Sequence, residues 1–368
     1  MKIIIPYCMN SFWQEQKARY PKGLVVLAPM ADVTDNPFRR ILSEVGAPDV
    51  YWNEFVSADG LVHPVGREKL ERMLSYEEDQ RPIIAQIFSG DADNCREAAQ
   101  ICREHGFDGI DINMGCPARN IIKQVSGCEL SKVEHRERVT RIIEETRAGA
   151  GELSVSVKTR LGFHEVDWSW IEFLLKHNLP LLTIHLRTKK EMSKVPAHWE
   201  LVDRIVQMRD EISPETLLIM NGDVANRAQS YELCKTHGID GVMIGRGVLQ
   251  DITAFASTDL EVKRPSTQER IEFALRHTRY FMEEYTIDAS AGIEDSVAPG
   301  TIDASAGIED SVAPGTIDGE LTKNFNLMKK FYKVYIQGFD GAKDLRTQLM
   351  DATNYEEIES ICNNFLKQ

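Results

Sequence analysis

The sequence predicts an α/β chain: a (β/α)8 barrel followed by a small all-helical C-terminal domain. Three observations predict it. Short apolar runs recur eight times over roughly 230 residues with amphipathic stretches between them, the period of that barrel. Nearly every run closes on polar or glycine-rich residues, as the active ends of barrel strands do. From about Lys263 the apolar runs stop and only helical patterns remain.

In chain order the strand candidates are 24–28 (LVVLA), 50–55 (VYWNEF), 83–88 (IIAQIF), 108–113 (DGIDIN), 154–158 (SVSVK), 181–185 (LLTIH), 217–221 (LLIMN) and 240–244 (DGVMI). Helical patterns fall between them, including 93–105, 134–147 and 199–211. A doubly wound sheet fits less well, because no Gly-x-Gly-x-x-Gly follows the first strand. Residues 267–285, 321–337 and 353–366 read as helices. The expected division is a barrel domain over 1–260 and a helical domain over 261–368.

Inside the helical part, Thr286 to Gly300 (TIDASAGIEDSVAPG) is followed by an identical copy, Thr301 to Gly315, and a truncated third ending at Gly319. These units are acidic, small-residue rich and poor in large apolar side chains. They read as a duplicated flexible connection at 286–319 rather than a solenoid.

The chain is acidic, with 57 Asp and Glu against 43 Lys and Arg. That excludes a protein coated in nucleic-acid-binding charge but not a local basic face. Residues 286–320 hold eight acidic side chains and no Lys or Arg. Just after them come Lys323, Lys329, Lys330, Lys333, Lys343 and Arg346. Seven scattered cysteines without a Cys-x-x-Cys pair predict neither a zinc site nor a disulfide framework. No apolar run approaches the ~20 residues of a membrane span. The N-terminal apolar stretch is too short for a signal peptide. A cytoplasmic protein without metal or membrane contact is expected, and a monomer.

Chemistry concentrates where the strands stop. Asp111-Ile112-Asn113-Met114-Gly115-Cys116-Pro117 puts a thiol on a stiff turn at a strand end. Taken alone, that thiol reads equally well as a small packed hydrophobe. The other ends carry Pro29, Met30 and Asp32; Gln86; Lys158 and Arg160; His185 and Arg187; Asn221, Gly222 and Asp223; and Gly245, Arg246 and Gly247. The last two groups follow strands seven and eight, where barrels commonly bind phosphate. Glycine-rich turns offer backbone N–H groups, and Arg246 adds charge-assisted hydrogen bonds. Lys158 and His185 are placed to stabilise charge on an electron-accepting ring.

Ala28-Pro29-Met30-Ala31-Asp32-Val33-Thr34-Asp35, Asn113-Met114-Gly115-Cys116-Pro117, Val157-Lys158-Thr159-Arg160, His185-Leu186-Arg187-Thr188, Asn221-Gly222-Asp223 and Gly245-Arg246-Gly247 together resemble the tRNA-dihydrouridine synthases. The resemblance runs from about Leu27 to Phe255 and again over Met328 to Arg346. It implies a flavoenzyme that reduces the 5,6 double bond of a uridine in tRNA. FMN is the implied cofactor, NADPH its reductant and tRNA the partner. Hydride passes from the flavin to C6, and Cys116 protonates C5. The backbone at Pro29 and Met30, with Gln86, would meet the isoalloxazine ring. Lys158 would sit by its N1 and O2 edge, and His185 would also contact it. Asn221, Asp223, Gly245 and Arg246 would hold the phosphate end. Asn113, Arg160 and Arg187 fall to the uridine side. Lys329 and Lys330 would hold tRNA phosphates.

The chain departs from that pattern in three places. Cys128 stands in Lys123-Gln124-Val125-Ser126-Gly127-Cys128 where the family commonly has Gly-Ala-Gly. Gln250-Asp251-Ile252-Thr253 replaces the usual Gly-Asn-Pro-Trp. The acidic tandem repeat is also unusual, and it is expected to project away from RNA. Other readings are an FMN barrel acting on a free base, a non-catalytic RNA-binding protein, and a flavin-free barrel using Lys158. The Lys-rich helical part argues against the first, and Cys116 with Lys158 against the second. No other residue supports the third.

Overall fold

The computed structural model describes residues 11–258, 264–286 and 321–367. The acidic repeat lies outside them, apart from Thr286. Its expected course away from RNA lies outside the described residues.

Nine strands occur among the described residues: β1 (Leu24–Leu27), β2 (Tyr51–Trp52), β3 (Val56–Ser57), β4 (Ile83–Phe88), β5 (Gly109–Met114), β6 (Ser154–Arg160), β7 (Leu181–His185), β8 (Leu217–Asn221) and β9 (Gly241–Ile244). All pair in parallel, in the order β1-β9-β8-β7-β6-β5-β4-β2, with β3 also on β4. Leu27 N donates to Val50 O at 3.2 Å and Asp49 N to Val25 O at 2.9 Å, which brings β1 alongside β2 and nearly closes the barrel. Helices cross between strands and cover the outside, as the alternating pattern predicts.

The second expected strand, 50–55, is broken in two. Asn53 is the cause: its side-chain Oδ1 accepts the Gln86 backbone N–H at 2.8 Å, so the side chain takes a ladder position. Glu54 and Phe55 then leave the ladder, and the chain rejoins β4 at Val56.

Side chains alternate across each strand, so the barrel interior takes every second residue. Toward the N-terminal ends these are apolar: Leu24, Val26, Ile84, Leu181, Ile219 and Met243 form one buried cluster with Trp13 and Trp52. Trp13 comes from helix Ser11–Arg19 and stacks on Trp52 with ring centroids 5.8 Å apart, plugging that end. Trp13→Ala is expected to cost about 3–5 kcal/mol of stability, read as a lower urea midpoint with little change in slope.

The helical C-terminal region contains Thr267–Tyr285, opened by a Ser266–Glu269 capping box, then Lys329–Tyr335, Ala342–Asp351 and Tyr355–Leu366. The expected helix 321–337 is shorter than its pattern. Phe325–Met328 forms a 3-10 turn, and Leu321 instead bridges Thr286 antiparallel. Helix Ala342–Asp351 has no counterpart among the sequence expectations; Gly338 and Gly341, both at φ +79°, fold the chain back and isolate a short pattern.

This region packs on helix Asn36–Val45. Phe38 meets Phe331 at 5.0 Å and His277 at 5.6 Å between ring centroids. Beside this apolar seam lies a charged one. Lys323 Nζ stands 3.1 Å from Asp35 Oδ2, 3.2 Å from Glu54 Oε2 and 3.7 Å from Asp32 Oδ1. Among the described residues no helix is long and apolar enough to cross a membrane.

Candidate active site

Toward the C-terminal ends of the strands the interior turns polar. Register places Gln86, Asp111 and Ser156 side by side on β4, β5 and β6, with Asn113 and Lys158 side by side above them. Above these residues opens a cavity of about 430 Å³. That lies within the ~300–1,000 Å³ usual for small-molecule and cofactor sites. Every expected site residue except Lys329 and Lys330 lines it.

Phe55, Ser193 and Gln250 line it too. Phe55 is delivered by the break after Asn53, and Ser193 by the loop after β7, beyond the His185-Leu186-Arg187-Thr188 motif. Gln250 belongs to the segment that departs from the family pattern, so the departure falls on the cavity wall.

Cys116 is partly exposed, whereas the other described cysteines are buried. Its turn is held from below: Asn113 Oδ1 accepts the N–H of Gly115 at 3.0 Å and of Cys116 at 2.9 Å. From the side, Cys128 N donates to Cys116 O at 3.1 Å. Gly127 permits that approach. It sits at φ +59°, and a Cβ there would come 2.7 Å from the Cys116 carbonyl oxygen. Burial pushes the Cys116 thiol up, against the lowering pull of the Ala118 backbone, Arg160 and Lys158. Cys128 is buried away from the cavity, and burial pushes it up to about 12.

The cavity is rich in cations. Lys158 Nζ lies 3.4 Å from Asn221 Oδ1, and burial, with Arg160 nearby, pulls its pKa down to about 8. Arg160 Nε donates to Gly115 O at 2.8 Å, and its Nη1 donates to Met192 O at 3.0 Å. Burial first, and then Arg160, Lys158, Arg187 and Arg246, hold His185 well below the usual histidine range. His185 is therefore neutral at pH 7. Arg187 Nη1 lies 3.1 Å from His185 Nε2, and a guanidinium can only donate. The ring proton is thereby assigned to Nδ1.

Two expected residues are more tied up than their motifs suggested. Arg187 is buried, bonded to Val195 O at 2.7 Å and paired with Asp223. Asp223 also accepts from Arg246 at 3.0 Å, so the β8 and β9 ends are tied together. Lys330 is half-buried at the barrel junction, where Asp32, Asp35 and Glu54 attract its charge and Lys323 repels it. Lys329 is half-buried beside it in sequence, outside the cavity.

The sequence compares with known proteins as follows. A family model described as dihydrouridine synthase (Dus) matches residues 26–293. The chain belongs to the dihydrouridine synthase family. A probable tRNA-dihydrouridine synthase of Staphylococcus aureus (strain COL) is 36% identical over 361 residues, covering 98% of this chain and 97% of that one. A probable tRNA-dihydrouridine synthase 2 of Bacillus subtilis (strain 168) is 36% identical over 358 residues, covering 97% of each. Dihydrouridine synthases are oxidoreductases, and this chain is an enzyme of that family. Among solved structures, morphinone reductase in complex with tetrahydroNAD aligns at a TM-score of 0.43 and 13% identity, over 62% of this chain and 84% of that one.

Proposed function

We propose that this dihydrouridine synthase uses FMN and NADPH to reduce a uridine in tRNA, with Cys116 as the acid that protonates C5. The observation that carries the reading is the meeting of a protonated thiol, a half-buried ammonium and a neutral imidazole in one cavity with a glycine-rich cationic end.

The residues present fit FMN. Ala28, Pro29 and Met30 give a largely apolar wall for a flat ring, and Gln86, Lys158 and His185 offer polar contacts to its edge. At the other end, Asn221, Gly245 and Arg246 meet the needs of a phosphate, and Asp223 holds the Arg246 guanidinium in place. A Cβ on Gly222, at φ +142°, would come 2.7 Å from Ala197 Cβ, so this turn has room only for glycine. Bound FMN supplies the hydride that adds to C6 of the uracil.

The protein's own part is to hold the base and move a proton. A flipped-out uridine enters between Cys116 and the opposite wall, where Asn113 and Arg160 face its polar edge. Cys116 Sγ–H gives its proton to C5. Arg160 and Lys158 stabilise the thiolate left behind, and water reprotonates it. Arg187 acts through Asp223 rather than on the base. Lys329 and Lys330 are assigned to the tRNA side at the barrel junction.

Protonation of Lys158 sets a pH limit. Its pKa is lowered to about 8, so the ammonium is present below that pH and lost above it. The kcat/KM for NADPH is expected to fall as pH rises through about 8. Lys158→Met should remove that limb and slow the enzyme about 10²–10³-fold, as loss of one preorganised electrostatic contact does. A pH profile of both proteins checks this. The proposal as a whole is tested by reconstituting the purified protein with FMN and titrating NADPH anaerobically. Bleaching of a bound flavin band supports it; a protein that never retains FMN defeats it.

A further inference from the structure

The sequence places Asp111 at the head of the Cys116 motif, yet the proposed proton transfer does not use it. Asp111 is fully buried inside the barrel. Its Oδ1 accepts from Ser156 Oγ at 2.6 Å and its Oδ2 from Gln86 Nε2 at 2.6 Å. Gln86 Oε1 in turn accepts from Asn113 Nδ2 at 2.9 Å, and Asn113 Oδ1 accepts the Gly115 and Cys116 N–H groups. The result is a continuous chain of hydrogen bonds from a buried carboxylate to the backbone of the reactive turn.

We propose that Asp111 is a positioning residue whose carboxylate sets the direction of this chain and so fixes the Cys116 turn. An ionised carboxylate only accepts, whereas each carboxamide presents an oxygen on one side and an NH2 on the other. Facing Asp111, Gln86 must present its NH2, so its oxygen faces Asn113. Asn113 must then present its own NH2 to Gln86, which leaves its oxygen facing the two turn N–H groups. Reversing either amide sets donor against donor in a buried chain, where an unmade bond is costly. Burial raises the Asp111 carboxyl, and the Ser156 and Gln86 hydrogen bonds with the Lys158 charge oppose that rise; the acceptor role itself is read from geometry, since each oxygen receives a donor.

The consequence for catalysis rests on the proposed role of Cys116; the structural claim does not. The test therefore reads the thiol in flavin-free protein, by the rate of Cys116 alkylation with iodoacetamide. Asp111→Asn replaces the acceptor-only end with an amide that can also present a donor to Gln86, so the chain is fixed only from the turn end and the turn loosens. Alkylation is expected to quicken about tenfold, the worth of one net hydrogen bond of ~1.4 kcal/mol. The double variant Gln86→Glu with Asp111→Asn moves the carboxylate one place along the chain. The carboxylate now at position 86 still accepts from Asn113, so the direction at the turn is kept and alkylation should return to the wild-type rate. Packing alone predicts no such rescue, since both replacements are isosteric. An Asp111→Asn rate equal to wild type overturns the proposal, as does a double variant that alkylates as fast as Asp111→Asn. Should Asp111→Asn fail to fold, the double variant decides alone: a folded protein with the wild-type rate supports the proposal, and any other result overturns it.

Discussion

Cys116→Ala is expected to lower dihydrouridine formation on tRNA by roughly 10²–10⁴-fold, the usual worth of a positioned general acid. Reduction of the bound flavin by NADPH should continue, because that half-reaction needs no proton from the thiol. The split distinguishes a proton donor from a packing residue. A packing role would disturb both half-reactions, since Cys116 shares the cavity with Met30, Gln86 and Lys158. Cys128→Ala is the control. Cys128 touches the same turn but is buried away from the cavity, and its loss should leave the acid step in place. Stopped-flow measurement of flavin bleaching, beside a product assay on tRNA, checks both variants.

Lys323→Met should destabilise the protein by about 3–5 kcal/mol at pH 7, as breaking a buried ion pair does. Lys323, itself half-buried, is the cation at the centre of Asp35, Glu54 and Asp32, and the first two carboxylates are buried. Burial would raise the Asp35 carboxyl, but the charge and hydrogen bond of Lys323, together with His277 and the Phe38 N–H, hold the group below its ordinary value. Such a group adds stability above its unfolded pKa and loses it as pH falls through the folded one. Glu54 is raised, chiefly by burial. In the variant both carboxylates lose their cation and can become neutral as pH falls. The deficit should therefore be largest at neutral pH and shrink toward pH 4–5, near the ordinary carboxylate range of ~4. Thermal melts of the two proteins across that range check the sign. Because Asp32 lies on the loop that follows Pro29 and Met30, the variant should also retain FMN less tightly.

Much of this was legible in the sequence because barrels write themselves in a simple period. β4, β7 and β8 coincide with apolar runs bounded by turn residues, and the helix 267–285 is bounded as its pattern predicts. The cavity residues were legible because they end strands in chain order, and a barrel gathers such ends on one face. What the sequence hides depends on side chains reaching across it. The split of β2 from β3 arises from Asn53 bonding Gln86, a contact that no propensity records. The Lys323 cluster joins residues 288 positions apart, so those basic residues read locally as a solvated helix face. Asp111 heads a motif but shows no role in it, because its meaning lies in partners on β4 and β6 rather than in its neighbours in sequence.

The central claim, that this cavity reduces uridine in tRNA, is most directly tested on unmodified tRNA. The FMN-loaded protein is incubated with excess NADPH and the RNA is analysed by mass spectrometry after nuclease digestion. The account predicts a gain of two hydrogen atoms on uridine at a defined position, absent with Cys116→Ala. Unchanged tRNA in the presence of bound FMN and steady NADPH oxidation would contradict it.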